Sequence, residues 1–138
     1  MNTTRSCAIS LVTLVLAACG GGAPENTTPA AAGAGNDQAA AATSQAEAKA
    51  IFDSLCFTCH GATGHGDGPG AIALDPKPRS FADAAWQDSV TDEHIKKTIV
   101  FGGAAVGKSP MMPAQPQYKG KTAILDGLVK IVRAFRGR

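Results

Sequence analysis

Large aromatic side chains are scarce in this sequence: one Trp, one Tyr and five Phe among 138 residues. A folded region of this size is marginal on its own apolar core, so few rings and 16 glycines point to a core completed by something other than protein. No apolar run is long enough for a permanent membrane span. The longest, "CAISLVTLVLAA" from Cys7 to Ala18, falls short of the ~20 residues that cross a hydrocarbon layer about 30 Å thick. Charge of one sign is also missing, with 13 Lys and Arg against 11 Asp and Glu, and this near balance excludes the basic footprint of a nucleic-acid binder. No stretch alternates apolar and polar residues as a half-buried strand does, which leaves an all-α reading. Cysteine is limited to four positions.

What is present divides the chain in three. Arg5 followed by the apolar run to Ala18 has the form of a secretory signal. The run ends in Leu16-Ala17-Ala18-Cys19, which resembles the lipobox of bacterial lipoproteins. That resemblance implies acylation of Cys19, and Gly20 in place of an inner-membrane retention Asp implies sorting to the outer membrane. The alternative is an ordinary cleavage after Ala18. Residues 20–43 are rich in Ala, Gly, Pro and Asn with few bulky apolar groups, so they read as a disordered tether. The boundaries expected are therefore 1–18 signal peptide, 19–43 lipidated Cys and tether, and 44–138 folded domain.

Within the domain, Ser44-Gln45-Ala46-Glu47 has the capping-box pattern, and Ala48, Ile51, Phe52 and Leu55 follow at helical spacing. A glycine-rich loop comes next. A short helix is expected near Phe81–Asp88, a second after Thr91 as N-cap with Gly102-Gly103 as its stop, and a last one over about 122–135 with an apolar stripe from Ile124 to Phe135. Gly127 inside that stripe costs about 1 kcal/mol relative to Ala, which implies a close approach by another element. Residues 104–121 hold three prolines and read as loop. Lys119, Lys121, Lys130, Arg133, Arg136 and Arg138 crowd the C-terminus; they suit a solvated helix end or a docking patch for an acidic partner or lipid phosphates.

The chemistry sits in Cys56-Phe57-Thr58-Cys59-His60. This pentapeptide could be a redox dithiol, half of a zinc site or a covalent haem anchor. A low-pKa dithiol belongs at a helix start, whereas here the motif ends a helix. Zinc needs four ligands, and besides His60 only His65 and His94 remain to join the two cysteines. Cys-x-x-Cys-His is the attachment signature of c-type haem: two thiols one turn apart trap the vinyl groups and the adjacent imidazole faces the iron. Met111 and Met112, in a proline-flanked loop, are then candidates for the opposite ligand, while His65 and His94 read as solvated.

From Ala48 to Arg136 the chain resembles the class I c-type cytochromes of the bacterial monohaem kind, in "CFTCHGATGHGDGPGAIALDPKPRSF", "TDEHIKKTIVFGG", "SPMMPA" and "LVKIVRAF". The resemblance implies a small fold of three to five helices around one haem c, bound covalently through Cys56 and Cys59, with His60 and Met112 as axial ligands, the Met before Pro being chosen over Met111. It also implies that the carbonyl of Pro69 accepts from the proximal imidazole; Arg79 and Trp86 are candidates for haem propionate contacts, the alternatives being a surface cation and a core ring respectively. Ala48 and Ile131 depart from the Gly and the aromatic usual at the crossing of the terminal helices.

The function expected on these grounds is electron transfer without catalysis, by a monomeric domain anchored through Cys19 in the periplasmic space and passing electrons between unidentified redox partner proteins. The alternatives are a haem enzyme or sensor with an exchangeable sixth ligand, and a haem subunit of an oxidase or reductase complex.

Overall fold

The computed structural model describes residues 34–138, so the expected signal peptide, Cys19 and most of the expected tether lie outside the described residues. Helix α1 (Ala34–Ile51) runs through a π-turn (Phe52–Cys56) into α2 (Phe57–His60). Then come a 3₁₀ turn at Pro69–Ala71, α3 (Ala84–Ser89), α4 (Asp92–Phe101), 3₁₀ turns at Ala104–Val106 and Pro116–Tyr118, and α5 (Thr122–Arg133). Among the described residues there is no strand, as the sequence led us to expect.

Helix α1 begins ten residues before the expected cap. Ser44 does not cap anything: its hydroxyl donates to the Ala40 carbonyl at 3.0 Å, one turn back inside the helix. The preceding alanines, the best helix formers, carry the element upstream past the Ser-x-x-Glu pattern. The other boundaries follow their chemistry. Thr91 accepts from the His94 amide at 3.1 Å as the α4 N-cap, and Gly102 closes that helix at φ +80°, a conformation glycine tolerates best. Asp83 caps α3 by accepting from the Trp86 amide, so this helix starts three residues later than Phe81.

The π-turn determines which side chains face inward. Phe57 N–H donates to the Phe52 carbonyl, five residues back. In a regular α-helix each four-residue step overshoots a full turn by about 40°, so three steps from Ala48 to His60 would drift by about 120°. One surplus residue in the π-turn takes back about 100° of this. Ala48, Phe52, Cys56 and His60 therefore share one face: Ala48, Phe52 and His60 are buried, and Cys56 packs against the core. Leu55, expected inside from helical spacing, is turned outward and is 39 % exposed.

That face packs on α5, whose Leu125, Leu128, Val129 and Val132 are all buried. Leu128 and Val132 join Ala48, Phe52, Phe81, Ile95 and Phe135 in one cluster, and each such side chain contributes roughly 1.5–3 kcal/mol on burial. At the crossing, a Cβ on Gly127 would come within 2.6 Å of the Ala48 Cβ. The close approach implied by a glycine in mid-helix is thus directed at Ala48, with Ile131 one turn further on packed against the same cluster.

Candidate haem-binding site

Cys56 and Cys59 are unpaired, half-buried thiols one turn apart at the end of the first helical segment. Burial, followed by the neighbouring Cys59, pushes the Cys56 thiol up to about 11. A redox dithiol needs the opposite, a thiolate stabilised near neutrality. Zinc fares no better, since among the described residues no three His, Cys, Asp or Glu side chains cluster so as to hold a metal.

His60 is buried, and desolvation lowers its pKa, with the Arg79 carbonyl opposing the shift. The ring is therefore neutral at neutral pH. Its Nδ1 lies 3.2 Å from the Arg79 carbonyl, and because a carbonyl only accepts, Nδ1 carries the proton and Nε2 keeps its lone pair for a metal. Pro69 does not fill the expected role. Gly68 N–H donates to the Cys59 carbonyl at 3.2 Å, and a side chain at Gly68 would collide with the carbonyls of Phe57 and Thr58. Pro69 is thereby held along the outside of α2. The segment that reaches the imidazole comes from further on: Phe81 N–H donates to the Gly64 carbonyl at 2.6 Å, drawing residues 79–81 across His60.

Arg79 and Trp86 are brought together as a pair. The guanidinium lies 5.9 Å from the Trp86 ring centroid and 3.5 Å from the Asp83 carboxylate. Trp86 stacks on Phe81 at 5.7 Å, and Phe81 stacks on His60 at 4.3 Å with 15° between planes. A row of three rings thus leads from the imidazole to a half-buried Trp beside an exposed Arg.

Met112 is held elsewhere, at the end of α4. Its carbonyl accepts from the Gly103 amide at 3.0 Å and its amide donates to the Ser109 carbonyl at 3.3 Å. Side chains at Gly102 or Gly103 would press on Met112 itself, so the glycine pair stops the helix and also seats this loop. Met112 is half-buried, whereas Met111 is 59 % exposed. His65 and His94 are both exposed, as expected.

Three contributors escaped the sequence reading. Phe81 was legible only as a ring, Gln87 carried no signal at all, and Arg133 read as one of several surface cations. Gln87 is 3 % exposed and donates to the carbonyls of Phe81 and Val132, both at 2.8 Å. Arg133 donates to the Gln87 and Val90 carbonyls and pairs with Asp92. Arg136 pairs with Asp88 at 2.7 Å. Two of the six C-terminal cations, Arg133 and Arg136, are thus paired with acidic groups within the domain.

The donor set of two unpaired thiols and a neutral imidazole with a free Nε2 has the composition and order that a covalently attached haem requires. The family comparison agrees. The family model for cytochrome c matches residues 45–127. A solved c-type cytochrome, KustC0563, is 33% identical over a match covering 62% of this chain and 93% of that one, with a TM-score of 0.46. No curated protein matches the chain. With the family model spanning more than half of the sequence and the attachment motif in its place, the chain belongs to the cytochrome c family, an all-α haem electron-transfer protein that carries haem c through Cys56 and Cys59.

Proposed function

We propose that this protein is a lipid-anchored monohaem carrier whose iron is held by His60 and Met112 and which shuttles electrons between redox partners in the periplasmic space. The observation that carries the reading is the His60 imidazole with Nδ1 committed to the Arg79 carbonyl beside two unpaired thiols; a separate Met112 loop, fixed by backbone bonds at both its amide and its carbonyl, supplies the candidate for the second ligand. When bound, the haem supplies a one-electron couple. Each part of the chain has a task toward it: Cys56 and Cys59 fix its position, His60 presents Nε2, and Met112 offers a thioether that the Gly102-Gly103 turn keeps from wandering.

Ligation by His and Met raises the potential relative to two imidazoles and leaves no open coordination position. The protein then has no substrate to bind and no proton to move in the reaction, so it serves as a carrier rather than a catalyst. Arg79 and Trp86 stand together beside the His60 support and suit propionate contacts, an exposed cation next to an indole donor. The apolar groups left on the surface around the motif and the Met loop, Ile72 at 79 % exposure and Met111, are suited to a haem edge or a partner surface.

Anchoring rests on the sequence alone, on the Leu-Ala-Ala-Cys boundary at residue 19. Haem staining of fractionated cells tests it together with the cofactor. The wild-type protein is expected in the membrane fraction with covalent haem, and Cys19→Ala is expected to move the stained band to the soluble periplasmic fraction or block its maturation. A stained band that stays in the membrane at unchanged mobility in Cys19→Ala would rule out this anchor.

A further inference from the structure

We infer that Gln87 is a positioning residue for the axial imidazole, acting through the three-residue segment Arg79–Phe81. The inference rests on the reading of His60 as an iron ligand. Gln87 is almost wholly buried and every polar atom of its side chain is engaged: Nε2 donates to the Phe81 and Val132 carbonyls at 2.8 Å each, and Oε1 accepts from Arg133 Nη1 at 2.9 Å. A buried amide is favourable only when it is fully bonded. Its distinctive contribution over an apolar residue of the same size is therefore geometric, a fixed distance between α3, α5 and the Phe81 backbone.

The segment so held touches His60 twice. The Arg79 carbonyl accepts from Nδ1 at 3.2 Å and the Phe81 ring stacks on the imidazole at 4.3 Å. Gly64 fixes the Phe81 amide from the opposite side, so Gln87 and Gly64 clamp the same residue by its carbonyl and its amide. Arg133 in turn locks Gln87 through its side chain and its own carbonyl at 2.6 Å. A hydrogen bond from Nδ1 makes an imidazole a stronger donor, and a stronger donor favours the ferric over the ferrous state. Slack in the 79–81 segment would weaken that bond and raise the reduction potential.

The test is the potential of purified holoprotein carrying Gln87→Met, which keeps length and loses the amide. A shift to more positive potential with covalent haem content unchanged is expected, and the same change at exposed Gln117, whose side chain bonds to Gln115, should leave the potential where it is. An unshifted potential in Gln87→Met overturns the inference even if the protein loses stability. Should that variant not accumulate, NMR of the wild-type holoprotein decides: slowly exchanging Gln87 side-chain amide protons close to Phe81 and Val132 support it, and rapid exchange with solvent overturns it. Failure of the underlying reading would look different, as a His60→Ala holoprotein with the wild-type spectrum.

Discussion

His60 can serve a metal only if one ring nitrogen is committed and the other is left with its lone pair, and both conditions come from groups distant in sequence. The motif itself was legible, since two Cys and a His at this spacing have few alternative uses. The partner of the imidazole was not. A loop carbonyl carries no residue identity, and which one arrives depends on how Gly64 and Phe81 join the loop to residues 79–81. Gln87 was invisible for a similar reason: its value lies in three bonds to backbone and guanidinium, which no periodicity records. At the surface, Arg136 and Asp88 give a residue-scale prediction. The Asp88 carboxyl is held below its ordinary value of 3.8, first by the hydrogen bond from Arg136. A depressed carboxylate pKa stabilises the fold above the unfolded value and loses that effect as pH falls through the folded one. The melting temperature of Arg136→Ala should therefore lie slightly below wild type at pH 7, the gap closing below about pH 3.8. The pair is exposed, so the gap should also shrink with salt. A gap unchanged across that range would contradict the assignment.

At the scale of elements, caps and stripes were read correctly wherever local chemistry decides them. Thr91 and Gly102-Gly103 bound α4 as their side-chain and backbone properties require, and the α5 stripe faces the core. The reading failed where one element changes register. Helical spacing placed Leu55 inside because it assumed an unbroken α-helix, and the π-turn moves Cys56 and His60 onto that face instead. The α1 start failed for another reason, propensity outweighing a capping pattern. The crossing of α1 and α5 offers the sharpest test at this scale. Gly127→Ala gains about 1 kcal/mol of helix propensity but drives a methyl to 2.6 Å from the Ala48 Cβ, an overlap that costs typically ~1–3 kcal/mol. A net loss of stability is expected. Adding Ala48→Gly removes the opposing methyl, so the double variant should recover most of the loss, and denaturant titration of the four proteins gives the coupling. Strict additivity would mean that the two helices do not meet at these residues.

For the molecule as a whole, the division into an anchor, a tether and a haem domain is proposed from sequence, while the domain itself follows from its helices and its family. Thin aromatic content and abundant glycine pointed at the outset to a core completed from outside the polypeptide. The structure shows how the available rings are spent: Phe81 between His60 and Trp86, and Phe52 against Phe135 at 5.5 Å. The C-terminal cations, which in sequence suited either a solvated helix end or a docking patch, are partly tied to Asp88 and Asp92, so a partner would meet less free charge there than composition suggests. The central proposal is that iron in this protein has His60 on one side and Met112 on the other, with no position for an exogenous ligand. Absorption spectroscopy of the purified holoprotein before and after carbon monoxide tests it most directly. The oxidised wild type should show a sulfur-to-iron charge-transfer band that persists in Met111→Ala and disappears in Met112→Ala, and the reduced wild type should not bind carbon monoxide while reduced Met112→Ala does. Ready carbon monoxide binding by the wild type would contradict the account and point to a haem enzyme or sensor.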